Sequence, residues 1–443
     1  MSYYLDPLPN RLHIMRRIAH LIAILLAPAM LAAQSSAPPA QPVAIKAGRF
    51  FDAESGKFLD NQIILIIGRK IEAVGANVTI PAGAKVIDLS KLTVLPGLLD
   101  MHTHLIGQAN DPEPRDELNH TMAEEAYVSI PNAKAVLMAG FTTVRDVGTY
   151  RALVDVAMRD AIARGTFPGP RMYVAGAYVT ITGGAGAMTG VSPDVTLPWD
   201  MTYGVANSPW EVRERIRRLA SNGVDFIKVL SSGAVLTHGS NANAREFTDE
   251  ELRAAVDEAH NFGFRVAAHA HSAAGIKAAV VAGVNSIEHG SYINEEDIQL
   301  MKQHGTYLVP TLETGQCIHA DPNEPADFLE HSHRLDSLAE ANVKRAIREG
   351  VRVAFGTDIS ICPFGENAKE FHYMVEYGMT PIAALQAATI GAADLLGHPD
   401  LVGSIKPGKY ADVIAVEGDP VANIRTMEHV VFVMKDGVVY KTP

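Results

Sequence analysis

Two histidine pairs share one spacing in this chain: His102 and His104 in LLDMHTHL, and His269 and His271 in RVAAHAHS. Each reads H-x-H inside an apolar, strand-like run. Side chains two apart on a strand share a face, so each pair presents two imidazoles to one side. Two imidazoles on one face can hold a divalent metal. One such pair is a weak signal, because paired histidines are also ordinary core or surface residues. Three more ionisable residues stand within or at the end of similar runs: Lys228 in FIKVL, His289 in SIEHG and Asp358 in VAFGTD. An unpaired ammonium is costly to bury. Lys228 is therefore either paired with a buried carboxylate, or it loses its charge or reacts. Carbamylated by carbon dioxide, it becomes an anion able to bridge two metals.

The elements that must position these residues alternate. Eight strand-like runs, at 98–105, 142–148, 172–180, 226–230, 265–272, 286–290, 306–310 and 353–358, are separated by helical segments. Thr248 to Glu251 reads as a capping box opening a helix toward Asn261. Thr380 and Pro381 supply a cap and a first-turn proline for another. Eight such repeats predict an α/β fold, a (β/α)8 TIM barrel over 96–395. The ionisable residues then fall at the C-terminal ends of strands one, four, five, six and eight, the rim where barrel enzymes carry their catalysts. Residues 43–95 and 396–443 read as short strands and turns, with strands flanking Gly68-Arg69 and a hairpin at Asp436-Gly437. Together they predict a small β-sandwich domain built from both chain ends.

The first residues read differently. Arg16 and Arg17 precede an apolar run from Ile18 to Ala33, and a polar, proline-rich linker follows over 34–42. This is the pattern of a secretory signal peptide over 1–33, with translation starting at Met15 and cleavage near Ala32 or Ala33. The alternative is an uncleaved membrane tether. Either reading puts the body in the periplasm or outside the cell, with membrane contact only through the signal segment.

The chain of 443 residues is 47% hydrophobic and 20% charged, enough for a large core. Its net charge is −12, and no basic run interrupts the body. That excludes nucleic acid and anionic lipid as expected partners. Two cysteines, Cys317 and Cys362, exclude a disulfide framework and a cysteine-rich zinc site. They can pair in an oxidising compartment or remain free thiols.

The strings PGLLDMHTH, GFTTVRDVG, FIKVLSSG, VAAHAHSAAGI, AGVNSIEHG, FGTD and GSIKPGKYADVIAV together resemble the metal-dependent amidohydrolase superfamily from about residue 43 to 441. The similarity is greatest to its secreted, imidazolonepropionase-like members, which include Xaa-Pro-type and Xaa-Arg-type dipeptidases and ochratoxin-hydrolysing amidohydrolases. The resemblance implies two divalent ions, commonly zinc, activating a shared water. It implies that His102, His104 and Asp358 hold one ion and that His269 and His289 hold the other. Lys228, N6-carboxylated, bridges them, and Asp358 acts as general base and acid. His271 is then left either behind the ligands or facing the substrate. The implied reaction is amide hydrolysis of dipeptides, N-acyl amino acids or ochratoxin-like amides; the alternative on the same site is a lactonase, esterase or phosphotriesterase-like hydrolase. Tyr178, His238 and Tyr292 are further substrate-binding candidates, and the oligomeric state is open to a homo-oligomer. One departure concerns specificity: several related dipeptidases carry a histidine where ITGGAGAMTG has Ala185. Three structural expectations complete the reading. Arg145 and Asp146 form a buried ion pair. Glu370 either orients a ligand or lies on a helix surface. Trp199 and Trp210 flank a loop that caps the pocket or meets another copy.

Overall fold

Both ends of the chain contribute to one sheet. Strands β1 (Val43–Asp52), β2 (Lys57–Ile67), β3 (Lys70–Gly75) and β4 (Lys85–Pro96) come from the N-terminal side. Strands β13 (Val413–Val416), β14 (Val430–Lys435) and β15 (Val438–Lys441) come from the C-terminal side. The order is β15-β14-β13-β4-β1-β2-β3. The computed structural model describes residues 41–107, 118–320 and 326–443. The expected signal peptide and nearly all of the linker lie outside them. Among the described residues no helix is long and apolar enough to cross a membrane.

The predicted hairpin is present. Asp436 and Gly437 both have positive φ, 53° and 74°, the tight turn that an Asp-Gly pair adopts. A Cβ on Gly437 would stand 2.2 Å from the Gly68 carbonyl oxygen. The turn of β14–β15 thus meets the turn of β2–β3, and the two halves of the sheet close over Ile45, Ile64, Ile66, Val413, Phe432 and Met434. The expected two-layer packing is made by one continuous sheet. Long β4 bridges its halves by pairing with β1 on one side and β13 on the other.

The middle of the chain forms parallel strands separated by helices. Strands β5 (Leu98–Thr103), β6 (Phe141–Asp146) and β7 (Arg171–Val174) form one sheet. Strands β8 (Tyr178–Val179), β9 (Ile227–Leu230), β10 (Val266–Ala270), β11 (Ser286–His289) and β12 (Tyr307–Val309) form another. Almost every residue in these strands is buried, as expected of parallel sheets covered on both faces. The third expected strand is split. Gly176, at φ +78°, breaks it, so β7 pairs with β6 while β8 pairs with β9. Across the break the Asp225 amide donates to the Val174 carbonyl at 2.9 Å.

The eighth expected run is not a regular strand, yet it bonds on both sides. Ala354 N donates to Leu308 O at 3.0 Å, and Met101 N to Phe355 O at 2.9 Å. Asp358 N donates to His102 O at 2.7 Å. These bonds run from β12 through residues 354–358 to β5. The predicted helix starts hold: Thr248 and Glu251 cap each other ahead of Asp249–Asn261, and Thr380 caps Pro381–Gln386.

Arg171 joins the end sheet to the parallel strands. Its guanidinium reaches Asp412 Oδ2 and Asp436 Oδ1, each at 2.6 Å, and lies 4.2 Å over the Tyr410 ring. Removing it strips the largely buried Asp412 of its cationic partner and leaves Asp436 with Arg69 alone. Arg171→Ala is therefore expected to lower stability by about 3 kcal/mol, read as a drop in the urea midpoint.

Candidate metal centre

β5 brings His102 to its C-terminal end, and His104 follows just beyond. His102 Nδ1 lies 2.8 Å from Glu288 Oε2, and Nε2 lies 3.4 Å from Asp358 Oδ1. His104 Nδ1 donates to the Gly148 carbonyl at 2.9 Å, with Tyr178 Oη at 3.2 Å, while Nε2 lies 3.3 Å from the same Asp358 oxygen. A carbonyl only accepts, so the His104 proton sits on Nδ1. The network assigns the His102 proton to Nδ1 in the same way. Each Nε2 then aims a lone pair at a carboxylate oxygen. Such a convergence of donors is repulsive alone and favourable around a cation.

The second group comes from β10 and β11. Ligand atoms of His269, His271 and His289 all lie within 4.8 Å of one another, as do those of His102, His104 and Asp358. Each ring in the second group has one nitrogen occupied: His269 Nε2 by Gly233 O at 3.1 Å, His271 Nδ1 by Ser291 Oγ at 2.8 Å, and His289 Nδ1 by Thr311 Oγ1 at 2.8 Å. Such partners fix the tautomer and orient the free nitrogen. Burial and the neighbouring imidazoles hold His269 and His289 well below the usual range. Burial brings His271 down to about 4, opposed by Asp358. All three are neutral at pH 7 and able to donate. The centres of the His102 and His289 rings are 4.9 Å apart, so the two groups adjoin.

Lys228, on β9, is 1% exposed and lines the same cavity of about 580 Å³. Burial lowers it to about 8, with Glu288 and Asp358 opposing. The donor set fits two divalent cations: imidazoles and a carboxylate at three-donor spacing, and a buried amine on the strand beside β10, which carries His269.

Sequence reasoning missed the partner that orients His102. Arg145 does not pair with Asp146, because neighbours on a strand face opposite ways. Its Nη2 bonds Glu288 Oε1 at 2.7 Å, its Nε the Met101 carbonyl at 2.6 Å and its Nη1 Ser286 Oγ at 3.0 Å. Burial pushes the Glu288 carboxyl up, but Arg145 and His102 outweigh it and bring it to about 2. Asp146 instead accepts from Leu105 N at 2.7 Å and Thr103 Oγ1 at 3.2 Å.

Glu370 is fully buried, not on a helix surface. It accepts from Leu312 N and Glu313 N, at 3.0 and 2.9 Å, and so fixes the turn whose Thr311 holds His289. Of the substrate candidates, His271 and Tyr178 line the cavity, and His238 and Tyr292 do not. His238 lies beside Gly190, and Tyr292 follows Ser291, which does line it. Ala185 is a wall residue held through its backbone: its amide donates to Glu246 Oε1 at 2.6 Å and its carbonyl accepts from Thr237 Oγ1 at 2.9 Å. Trp199 and Trp210 are exposed and do not line the cavity.

Cys317 and Cys362 form a disulfide, with Cα atoms 5.4 Å apart. It ties the helix Thr314–Ala320 to the segment after Asp358, and both contribute to the cavity wall.

Two measurements follow. Glu288→Gln removes the charge that Arg145 and His102 share. It should weaken metal binding about 10- to 100-fold, measured by competition with a chromophoric chelator. Replacing both cysteines with alanine opens a loop of 45 residues. It should cost about 4 kcal/mol by chain entropy, seen as a lower urea midpoint.

The Amidohydrolase family description matches residues 93–442. Ochratoxinase from Aspergillus niger is 32% identical over 473 aligned positions, covering all of this chain and 93% of the relative. A crystal structure of a Xaa-Pro dipeptidase with methionine bound in its active site superposes with a TM-score of 0.85 at 36% identity, over 90% of this chain and 100% of that one. The crystal structure of the A. niger ochratoxinase gives 0.82 at 30% identity, over 92% and 97%. This chain belongs to the amidohydrolase family.

Proposed function

We propose that this protein is an exported, binuclear metal-dependent amidohydrolase that cleaves the amide bonds of dipeptides or N-acyl amino acids. The supporting observation is the convergence of two three-donor groups and buried Lys228 on one cavity at the C-terminal ends of the parallel strands. The bonds that join residues 354–358 to both β12 and β5 support reading those strands as a closed (β/α)8 barrel. The named activities of the two relatives, ochratoxinase and Xaa-Pro dipeptidase, support an amide as the substrate.

His102, His104 and Asp358 would hold one ion, and His269 and His289 the other. Lys228 would bridge them as its N6-carboxylate: its amine attacks carbon dioxide, forms the N–C bond and gives up a proton. Zinc suits such imidazole-rich sites. Bound dications lower the pKa of water toward neutrality and polarise a carbonyl. Asp358 takes the proton of the attacking water and delivers it to the leaving amine. Arg145 and Glu288 keep His102 in register throughout. His271, stacked on His289 with ring centres 4.9 Å apart, faces the cavity as a substrate contact. The disulfide supports an oxidising location, periplasmic or secreted.

The test is free-amine release from a library of dipeptides and N-acyl amino acids by the zinc-loaded protein. Asp358→Asn should reduce turnover about 10²- to 10⁴-fold, and Lys228→Ala should lower metal content. Equal release by Asp358→Asn would remove its proposed role. Release from no member would shift the substrate class to lactones or phosphotriesters.

A further inference from the structure

Glu125 lies on the helix Met122–Met138 that follows β5, is 2% exposed, and lines the same cavity as His102 and Asp358. Its Oε1 lies 3.1 Å from His120 Nδ1. Its Oε2 is buried and, among the described residues, accepts no hydrogen bond. Gly107 faces that oxygen; a Cβ there would stand 3.3 Å from it. On this side the chain presents a glycine to Oε2, and a glycine has no side chain to satisfy it. A buried acceptor left unpaired is costly, and a charged one more so.

The surrounding charges sharpen the point. Arg151, which acts on Glu125 together with His120, places Nη1 on Asp200 Oδ2 at 3.1 Å and Nη2 on the His120 carbonyl. Among the described residues that line the cavity there is no arginine, and the one lysine is Lys228 in the metal centre. Of the other acidic wall residues, Asp358 belongs to the candidate metal centre and Glu340 is already bonded to Lys344. Burial pushes the Glu125 carboxyl up, with His120 opposing; a cation beside it favours the charged form.

We infer that Glu125 is a specificity-determining residue that receives a protonated amine of the substrate, so the site selects dipeptides carrying an ammonium over N-acylated, neutral isosteres. A charge-assisted bond to a buried carboxylate is stronger than one from a neutral donor. This inference rests on the amide-hydrolase reading and narrows it. The ammonium has two sources in a dipeptide, the α-amine and a lysine-like side chain.

The experiment is calorimetric binding of ketomethylene dipeptide isosteres, which cannot be hydrolysed, to the zinc-loaded full chain. One pair differs only in N-acetylation. A second, N-acetylated pair differs only in lysine against norleucine. In the wild type one pair should show a preference of about tenfold to a hundredfold for the ammonium, and that pair names its source. Glu125→Gln, which keeps the shape and the contact to His120, should abolish the preference. The affinity of the neutral isostere should stay unchanged, which also reports an intact fold. No preference in the wild type, a preference that survives Glu125→Gln, or no binding of any isostere would overturn the inference. A preference seen without any amine release would leave Glu125 in place and reject amide hydrolysis instead.

Discussion

Glu288 is a carboxylate with no exposed surface, held between Arg145 and His102. The contact links three strands, β11, β6 and β5, across the interior. Two charges buried together are tolerated only when every remaining donor and acceptor is also met. Here Ser286 and the Met101 carbonyl complete the set. The first imidazole of the candidate metal centre is thus aligned from within the strands, before any loop contributes. β11 carries both Glu288 and His289, so one strand orients an imidazole of one donor group and supplies an imidazole of the other.

Backbone strain collects at the same end. His289, Thr311 and Asp358 have φ of 70°, 49° and 58°, values that cost non-glycine residues about 1–3 kcal/mol each. Buried carboxylates hold the neighbouring segments. Asp100 accepts from Thr357 N, Thr357 Oγ1 and Asn367 Nδ2, which fixes the turn into Asp358. Glu370 does the same for residues 312 and 313. Desolvation raises Asp100 to about 6, with its hydrogen bonds opposing, and raises Glu370 well above the usual range. The site is therefore a strained rim held by a ring of costly buried acids, with the free energy for both drawn from the apolar strands beneath.

The ligand candidates were legible because their signal is local. H-x-H inside an apolar run needs only strand periodicity to be read, and His289 and Asp358 stand out as polar ends of apolar strings. The contacts that tune them join residues far apart in the chain. Nothing near Arg145 announces Glu288, and the adjacent Asp146 is a tempting partner that strand geometry forbids. Glu125 was missed because it sits in an ordinary helix start, where an acid is expected anyway. The fold shows the same division. Hairpins at Gly68-Arg69 and Asp436-Gly437 were evident from their turn residues. The split at Gly176 and the irregular eighth run were not, since both depend on which neighbours a short segment bonds. His271 was set apart from His269 by resemblance alone, whereas both rings belong to one cluster.

The end sheet has a consequence for the order of assembly. β4 is made early, but its partner β13 lies beyond the whole parallel-strand region. During synthesis β4 must wait with one edge unpaired. Closing so long a loop carries the entropy that slows non-local pairing. An unpaired edge is meanwhile open to other chains. The seven-stranded sheet is thus a late event, completed only when β13, β14 and β15 arrive, and the nascent protein is most prone to association just before those strands are made.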